Sequence, residues 1–333
     1  MAEVPPALAA GPIQAGAMKK TMLFLALGAT LVLPQASPGC TIPVFRFALE
    51  KWDLTPYDVL VYHRGPLPIK LEKALKPWSN ALKKINLDLT VVDLDEKVDP
   101  KHAKVWEEFG KKAETPWMLV RSRSANVGDA PAWSGPCTPE NLSNLVDSPM
   151  RRAILAHLTR GATVVWVLLT SDDEKADQAA YDLATRELRD LEIQIKLPEQ
   201  PKDGMQLKLP LPLQVSLPLL VLDRNDPAEA AFVKLLLATE EELDQKKGPI
   251  LFPMFGRGRA LASLYEKDLT REVLVAATGF LCKECSCQVK ELNPGVDLLM
   301  LADWDAHFAA MFKGRQPVPM PMVMPTALPR RGR

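Results

Sequence analysis

The sequence predicts an α/β protein whose element order runs through twice. Short apolar, β-branched runs alternate with longer stretches of helical periodicity, the same succession restarts after Gly161, and prolines, glycines and capping residues fall between the runs. In the first half Asp58 to Tyr62 reads as a strand, Ile69 to Ile85 as a helix and Leu87 to Asp93 as a strand. Lys101 to Lys112, with Pro100 near its start, reads as the next helix. A strand then begins at Pro116 with Trp117-Met118-Leu119-Val120, a short strand follows near Ala132, and Pro139 to Thr159 completes the half as a helix stopped by Gly161.

In the second half Thr163 to Leu169 is apolar almost throughout, as a strand covered on both faces must be. Asp172 to Leu191 is a helix whose Asp172, Asp173 and Glu174 suit the positive end of its dipole. Leu217 to Leu222 is a strand, Pro227 to Glu241 a helix, and Ile250 to Phe255 with Arg259 to Leu264 a hairpin across Gly256-Arg257-Gly258. Pro253 lacks a ladder donor inside that hairpin, which calls for a bulge or an unpaired donor side. Leu269 to Leu281 is the last helix of the repeat. After the Asn293-Pro294-Gly295 turn, Asp297 to Phe312 forms an amphipathic helix through Leu298, Leu301, Trp304, Phe308 and Met311, and it carries His307.

The 333 residues are 47% hydrophobic and 25% charged, and 41 Lys plus Arg balance 41 Asp plus Glu, so no basic field draws nucleic acid. The chain has thirty prolines, with clusters of five between Leu197 and Pro218 and five after Gln316, marking a linker and a tail. Before the repeat, Lys19 and Lys20 precede an apolar run from Met22 to Leu33. That run is too short for a comfortable membrane span but has the length of a signal-peptide core. Ser37-Pro38-Gly39-Cys40 then resembles a bacterial lipobox, with Ser37 where a larger aliphatic residue is usual. The resemblance implies export, acylation of Cys40, and a periplasmic or envelope body held to the membrane by lipid. Translation can start at Met1 or at Met18.

Strand-helix-strand-helix-strand-strand-helix resembles the thioredoxin-like fold, here in two tandem copies, each a central mixed sheet flanked by helices. The expected layout is a signal segment over 1–40, one domain over 41–160, a second over 161–312 with a C-terminal helical extension, and a disordered Pro/Met-rich tail over 313–333. The superfamily places a cis-proline before the strand that opens its hairpin, which implies that role for Pro116 and Pro249. Its oxidoreductases carry Cys-x-x-Cys after the first strand. Here those loops read Tyr62-His63-Arg64-Gly65-Pro66-Leu67-Pro68 and Leu169-Thr170-Ser171-Asp172-Asp173, so no thiolate exists there to attack a disulfide. His63 and Arg64, and the glycine-flanked Arg257 and Arg259, are candidate anion binders, set against plain solvation and hairpin geometry.

Cys282, Cys285 and Cys287 are spaced for a disulfide or for a soft metal, copper or zinc, and Cys137 offers one further pairing. The cluster follows a helix C-terminus, where the dipole disfavours a thiolate, so structural disulfides are expected. Met320, Met322 and Met324 are soft Cu(I) ligands in an extended Pro-rich tail. The expected function is a non-catalytic envelope lipoprotein that binds a protein or peptide partner, with no cofactor and no nucleic acid. The alternative is metal or thiol-redox handling through the three clustered cysteines. A hydrolase or transferase comes last, for want of a Ser/His/Asp grouping, a phosphate loop or paired carboxylates.

Overall fold

The apolar β-branched runs occupy the centres of two mixed sheets. The computed structural model describes residues 41–80, 84–124, 127–200, 207–285, 290, 293–314 and 328. Strands β1 (Tyr57–His63), β2 (Leu87–Asp93), β3 (Trp117–Ser122) and β4 (Trp133–Pro136) form the first sheet in the order β2-β1-β3-β4. There β1 runs parallel to β2, with Val59 opposite Leu89, and antiparallel to β3, with Val59 opposite Val120. The second sheet contains β5 (Val165–Leu169), β6 (Leu219–Leu222), β7 (Ile250–Phe255), β8 (Arg259–Ala260), β9 (Leu264–Tyr265) and β10 (Val296–Asp297). Its order is β10-β8-β7-β5-β6, with β9 also on β7; β5 is parallel to β6 and antiparallel to β7. Each first strand thus sits between a parallel second strand and an antiparallel third.

Period-two alternation sends successive side chains of each strand to opposite layers. In the first sheet Val59, Val61, Met118 and Val120 pack with Leu71 and Leu75 of α2 (Ile69–Leu75) and with Leu142 and Leu145 of α4 (Pro139–Val146). On the opposite face Leu60, Tyr62 and Leu119 meet Val105, the last residue of α3 (Pro100–Val105), and Trp106. In the second sheet Val165, Val167, Phe252 and Met254 pack with α5 (Pro149–Leu158), α7 (Ala230–Leu237) and α9 (Trp304–Phe312). Trp166, Leu168, Leu251 and Phe255 face α1 (Val44–Lys51), α6 (Glu174–Gln194) and α8 (Arg271–Cys282). Each Val, Leu or Phe buried this way contributes about 1.5–3 kcal/mol.

The halves do not stay on their own sides of residue 160. Helix α1 precedes the first sheet in sequence and α5 follows it before residue 160, yet both pack on the second. In return Leu299 joins the first sheet's core, and Leu301 N–H and Ala302 N–H donate to the carbonyls of Val146 and Lys84. The described residues accordingly form one compact unit. The Pro-rich connection between α6 and β6 is pinned as well. The fully buried Arg46 donates to Leu209 O at 2.7 Å, while Glu50 accepts from Lys208 N–H at 2.8 Å and ion-pairs with Arg46 at 2.9 Å.

Several elements depart from the sequence expectation for local reasons. The helix expected over Pro139 to Thr159 is two helices, because Ser148 caps a new start and Pro149 occupies the first turn. The helix expected from Asp297 starts only at Trp304, where Asp303 caps it, and Asp297 itself lies in β10. Pro253 is accommodated by a bulge. Met254 pairs with Ala260 but Leu251 pairs with Leu264, so three residues, 261–263, face the two at 252–253. The Pro253 carbonyl accepts from Leu261 N–H at 2.9 Å, which places the missing donor on the bulged side, away from β5.

Candidate functional site

The loop ends of the two sheets are where the sequence comparison placed the absent thiols. In the first, β1 ends at His63 and the chain turns through Gly65, whose φ of 60° suits a residue without Cβ. Arg64 Nη1 lies 2.7 Å from Asp95 Oδ1, and Gly65 N–H donates to Asp95 Oδ2 at 3.0 Å. The chain's own carboxylate therefore fills the anion position expected at His63 and Arg64. Asp95 was missed in the sequence because it lies beyond the neighbouring parallel strand, where only the topology brings it back to Arg64. His63 Nδ1 is 2.8 Å from Gly65 O; a carbonyl can only accept, so Nδ1 donates. Across the loop Thr115–Pro116 is a cis peptide, and Trp117 pairs with Tyr62.

The second loop closes differently. The fully buried Ser171 gives both its N–H, at 2.8 Å, and its hydroxyl, at 2.7 Å, to Asp177 Oδ1. Asp173 Oδ1 accepts from Lys175 N–H at 3.0 Å and Ala176 N–H at 3.1 Å, so these first free amides of α6 are already capped. Arg224 bridges the loop ends by donating to the carbonyls of Thr170 at 3.0 Å, Lys246 at 2.9 Å and Gly248 at 3.1 Å. Burial lowers its pKa, partly offset by Asp172 and Asp177. Thr115–Pro116 is the one cis peptide among the described residues, so Gly248–Pro249 is trans and Pro249 does not repeat the expected geometry; the Gly248 carbonyl is held by Arg224 instead.

Both arginines of the hairpin tip are engaged within the chain. Arg257 Nε donates to Leu49 O at 2.9 Å, and its guanidinium lies 5.3 Å from the Phe308 ring centroid. Buried Arg259 reaches Asp297 Oδ1 at 3.1 Å, Pro294 O at 3.1 Å and Asn293 O at 3.0 Å, and lies over the Trp52 ring. The tip folds back onto α1 and β10, so these side chains brace the molecule. Asp297 is the centre of that brace. It also accepts from Thr55 N–H at 2.7 Å, pairs with Lys290, and lends its main-chain carbonyl to Tyr57 Oη at 2.9 Å. No local pattern marks Asp297, since its partners lie as far as 242 residues away.

The three described cysteines are buried. Cys282 ends α8 and Cys137 follows β4; burial pushes each thiol up to about 12. Cys285 is buried in the second core, and its N–H donates to Ile42 O at 2.9 Å. No disulfide joins Cys137, Cys282 and Cys285 to one another. Among the described residues no group of three His, Cys, Asp or Glu side chains is placed to hold a metal ion. Cys40, Cys287, the apolar run from Met22 to Leu33, and Met320, Met322 and Met324 lie outside the described residues. No helix among the described residues is long and apolar enough to cross a membrane. Leu328, from the expected tail, packs half-buried against the second core.

No family model matches the chain, and no curated protein matches it. Among solved structures it is similar to the zinc-bound form of human ERp44, at 8% identity and a TM-score of 0.22, over 71% of this chain and 54% of that one. The chain thus spans about half the length of that protein, and a likeness this distant transfers neither site nor activity. The architecture stands on its own geometry: two mixed sheets flanked by helices, compatible with a thioredoxin-like fold.

Open surface remains beside the first sheet. A groove of about 460 Å³ runs between α2 and α4, lined by Trp78, Ile85, Leu142, Val146 and Leu301, with Lys84 and Asp147 also on its walls. Ile69, the first residue of α2 and six residues beyond His63, is 70% exposed.

Proposed function

We propose that this chain is a non-catalytic, exported and lipid-anchored protein of two tandem thioredoxin-like domains, and that it binds a protein or peptide partner in the cell envelope. One observation carries the reading: both loops that would hold a reactive dithiol are occupied by the chain's own groups, Asp95 on Arg64 and Gly65, and Asp177 on Ser171. A site lacking cysteine has no nucleophile for disulfide exchange. The Cys282 thiol, pushed up to about 12, supports a packing role over thiol-redox chemistry. The partner surface in this reading is the loop end of the first sheet, where Ile69 is exposed.

The test places a photo-crosslinking residue at Ile69 in the full chain in cells, with Ile193 of α6, equally exposed, as the control. A discrete adduct from Ile69 that Ile193 does not give is the expected result. Matching patterns from both sites, or none from either, would remove the proposed surface. In parallel the purified protein should not reduce insulin disulfides. Turnover abolished by Cys282→Ser would replace partner binding with thiol-redox function.

A further inference from the structure

We infer that the face formed by residues 41–44 and 283–285 lies directly against a lipid bilayer, so that the anchor fixes the orientation of the body as well as its location. The inference rests on the proposal above that Cys40 is acylated, and adds to it the absence of any slack behind the acylated residue. An anchored body usually hangs on a flexible tether whose span grows as about 5–6 Å times the square root of its length. Here order begins at once. Gln200 Nε2 donates to Thr41 O at 2.9 Å, Ile42 is buried to 1% exposure, and Pro43 forms an antiparallel bridge with Glu284. Val44 N–H donates to Lys283 O at 3.0 Å and Cys285 N–H to Ile42 O at 2.9 Å, which locks both sides of that bridge.

The helix that follows cannot give way. Val44, Phe45, Phe47 and Ala48 of α1 are core residues of the second sheet, and Arg46 with Glu50 grips the main chain at Leu209 and Lys208. At about 3.3–3.6 Å per residue, the two steps from Cys40 to Ile42 span at most about 7 Å. That is comparable to one headgroup layer, since a bilayer of about 40–45 Å holds a hydrocarbon core of about 30 Å. If the acyl chains of Cys40 enter the hydrocarbon, no water layer fits between the lipid headgroups and the bridge. Lys283 and Glu284 are exposed on this face and meet the headgroups, while Cys282 and Cys285 lie just beneath it, shielded by protein.

The experiment uses the full chain, processed and reconstituted in vesicles of phosphatidylcholine and phosphatidylglycerol that contain a lipid spin-labelled on its headgroup. A fluorescent amino acid replaces Glu284 in one sample and Lys97, exposed on the turn between β2 and α3, in another. The expected result is strong quenching at 284 and little at 97. A flexible Gly-Ser insert of about fifteen residues between Cys40 and Thr41, reaching about 20 Å, should abolish the quenching at 284 while the protein still sediments with the vesicles. Mass measurement of the N-terminal peptide separates two failures. Acylated Cys40 with an unquenched probe at 284, or with equal quenching at both sites, overturns this inference alone. A Cys40 free of lipid, or disulfide-linked to a thiol of the 282–287 segment, overturns the anchoring reading and the inference with it.

Discussion

Replacing Asp297 by alanine should be among the most damaging single changes in the molecule. The carboxylate is 4% exposed and faces two cations almost as deep, Arg259 at 5% and Lys290, whose side chain is 11% exposed. Removing one member of a buried ion pair costs about 3–5 kcal/mol, because the remaining charge stays desolvated without a counter-charge. Here two cations are stranded, and Thr55 N–H loses its acceptor as well. Set against total stabilities of about 5–15 kcal/mol, the loss takes a large share. Since Asp297 sits on β10 while Thr55 and Tyr57 lead into β1, the variant should also loosen the first sheet from the second. Equilibrium denaturation in urea, followed by tryptophan fluorescence, should show a midpoint far below wild type and a broader, split transition. Asp297→Asn, which keeps an acceptor for Thr55, should fall between the two. A loss under about 1 kcal/mol for the alanine variant would mean that water already screens this network as it screens surface pairs, and the brace would be refuted.

Glu229 is buried and its carboxyl pKa is raised, chiefly by desolvation; Oε1 accepts from Met150 N–H at 2.6 Å, while Oε2 has no hydrogen-bond partner among the described residues. The folded state therefore holds this proton more tightly than the unfolded chain, and stability should fall as pH rises from the ordinary carboxylate range through the raised value. Denaturation midpoints across that window should decline for wild type and stay flatter for Glu229→Gln; parallel curves would disprove the assignment. Gly256→Ala places a Cβ 2.8 Å from the Ala48 Cβ at a φ of 58°, so thermal melting should reveal a loss of about 1–3 kcal/mol. An unchanged melting temperature would show that α1 can shift away from the hairpin tip. Cys137 and Cys282, with thiols pushed up to about 12, should resist iodoacetamide at neutral pH in the folded protein and react on unfolding; rapid labelling of the native state would contradict their burial.

Strands were the most legible part of the sequence. Val165 to Leu169 and Ile250 to Phe255 announce themselves by unbroken apolar character, and both lie at the centre of the second sheet. Pro253 was legible as a constraint, and the bulge at 261–263 is the solution the fold adopts. Helix α1 went unread for a physical reason. It is only eight residues long, about two turns, too short for a period to stand out, and no side chain caps its start. The loop sites were readable as lacking cysteine, but their occupants were not. Asp95 is 31 residues from Arg64, and Asp297 is 38 from Arg259, separations at which only the folded topology chooses partners. Ser148-Pro149 did carry a local signal for the break between α4 and α5, a capping residue followed by a proline, which the longer helical period masked.

The bond from Arg46 to Leu209 spans 163 residues, and the bridge from Pro43 reaches still further, to Glu284. A ribosome releases α1 before nearly everything that seats it. The first of the described helices must therefore wait, unpaired, until α8 and Glu284 behind it have been made, and closing that loop is a late and slow event. Through most of its synthesis the chain stays threadable at its leading end, and the N-terminal segment is drawn in as one of the last acts of folding.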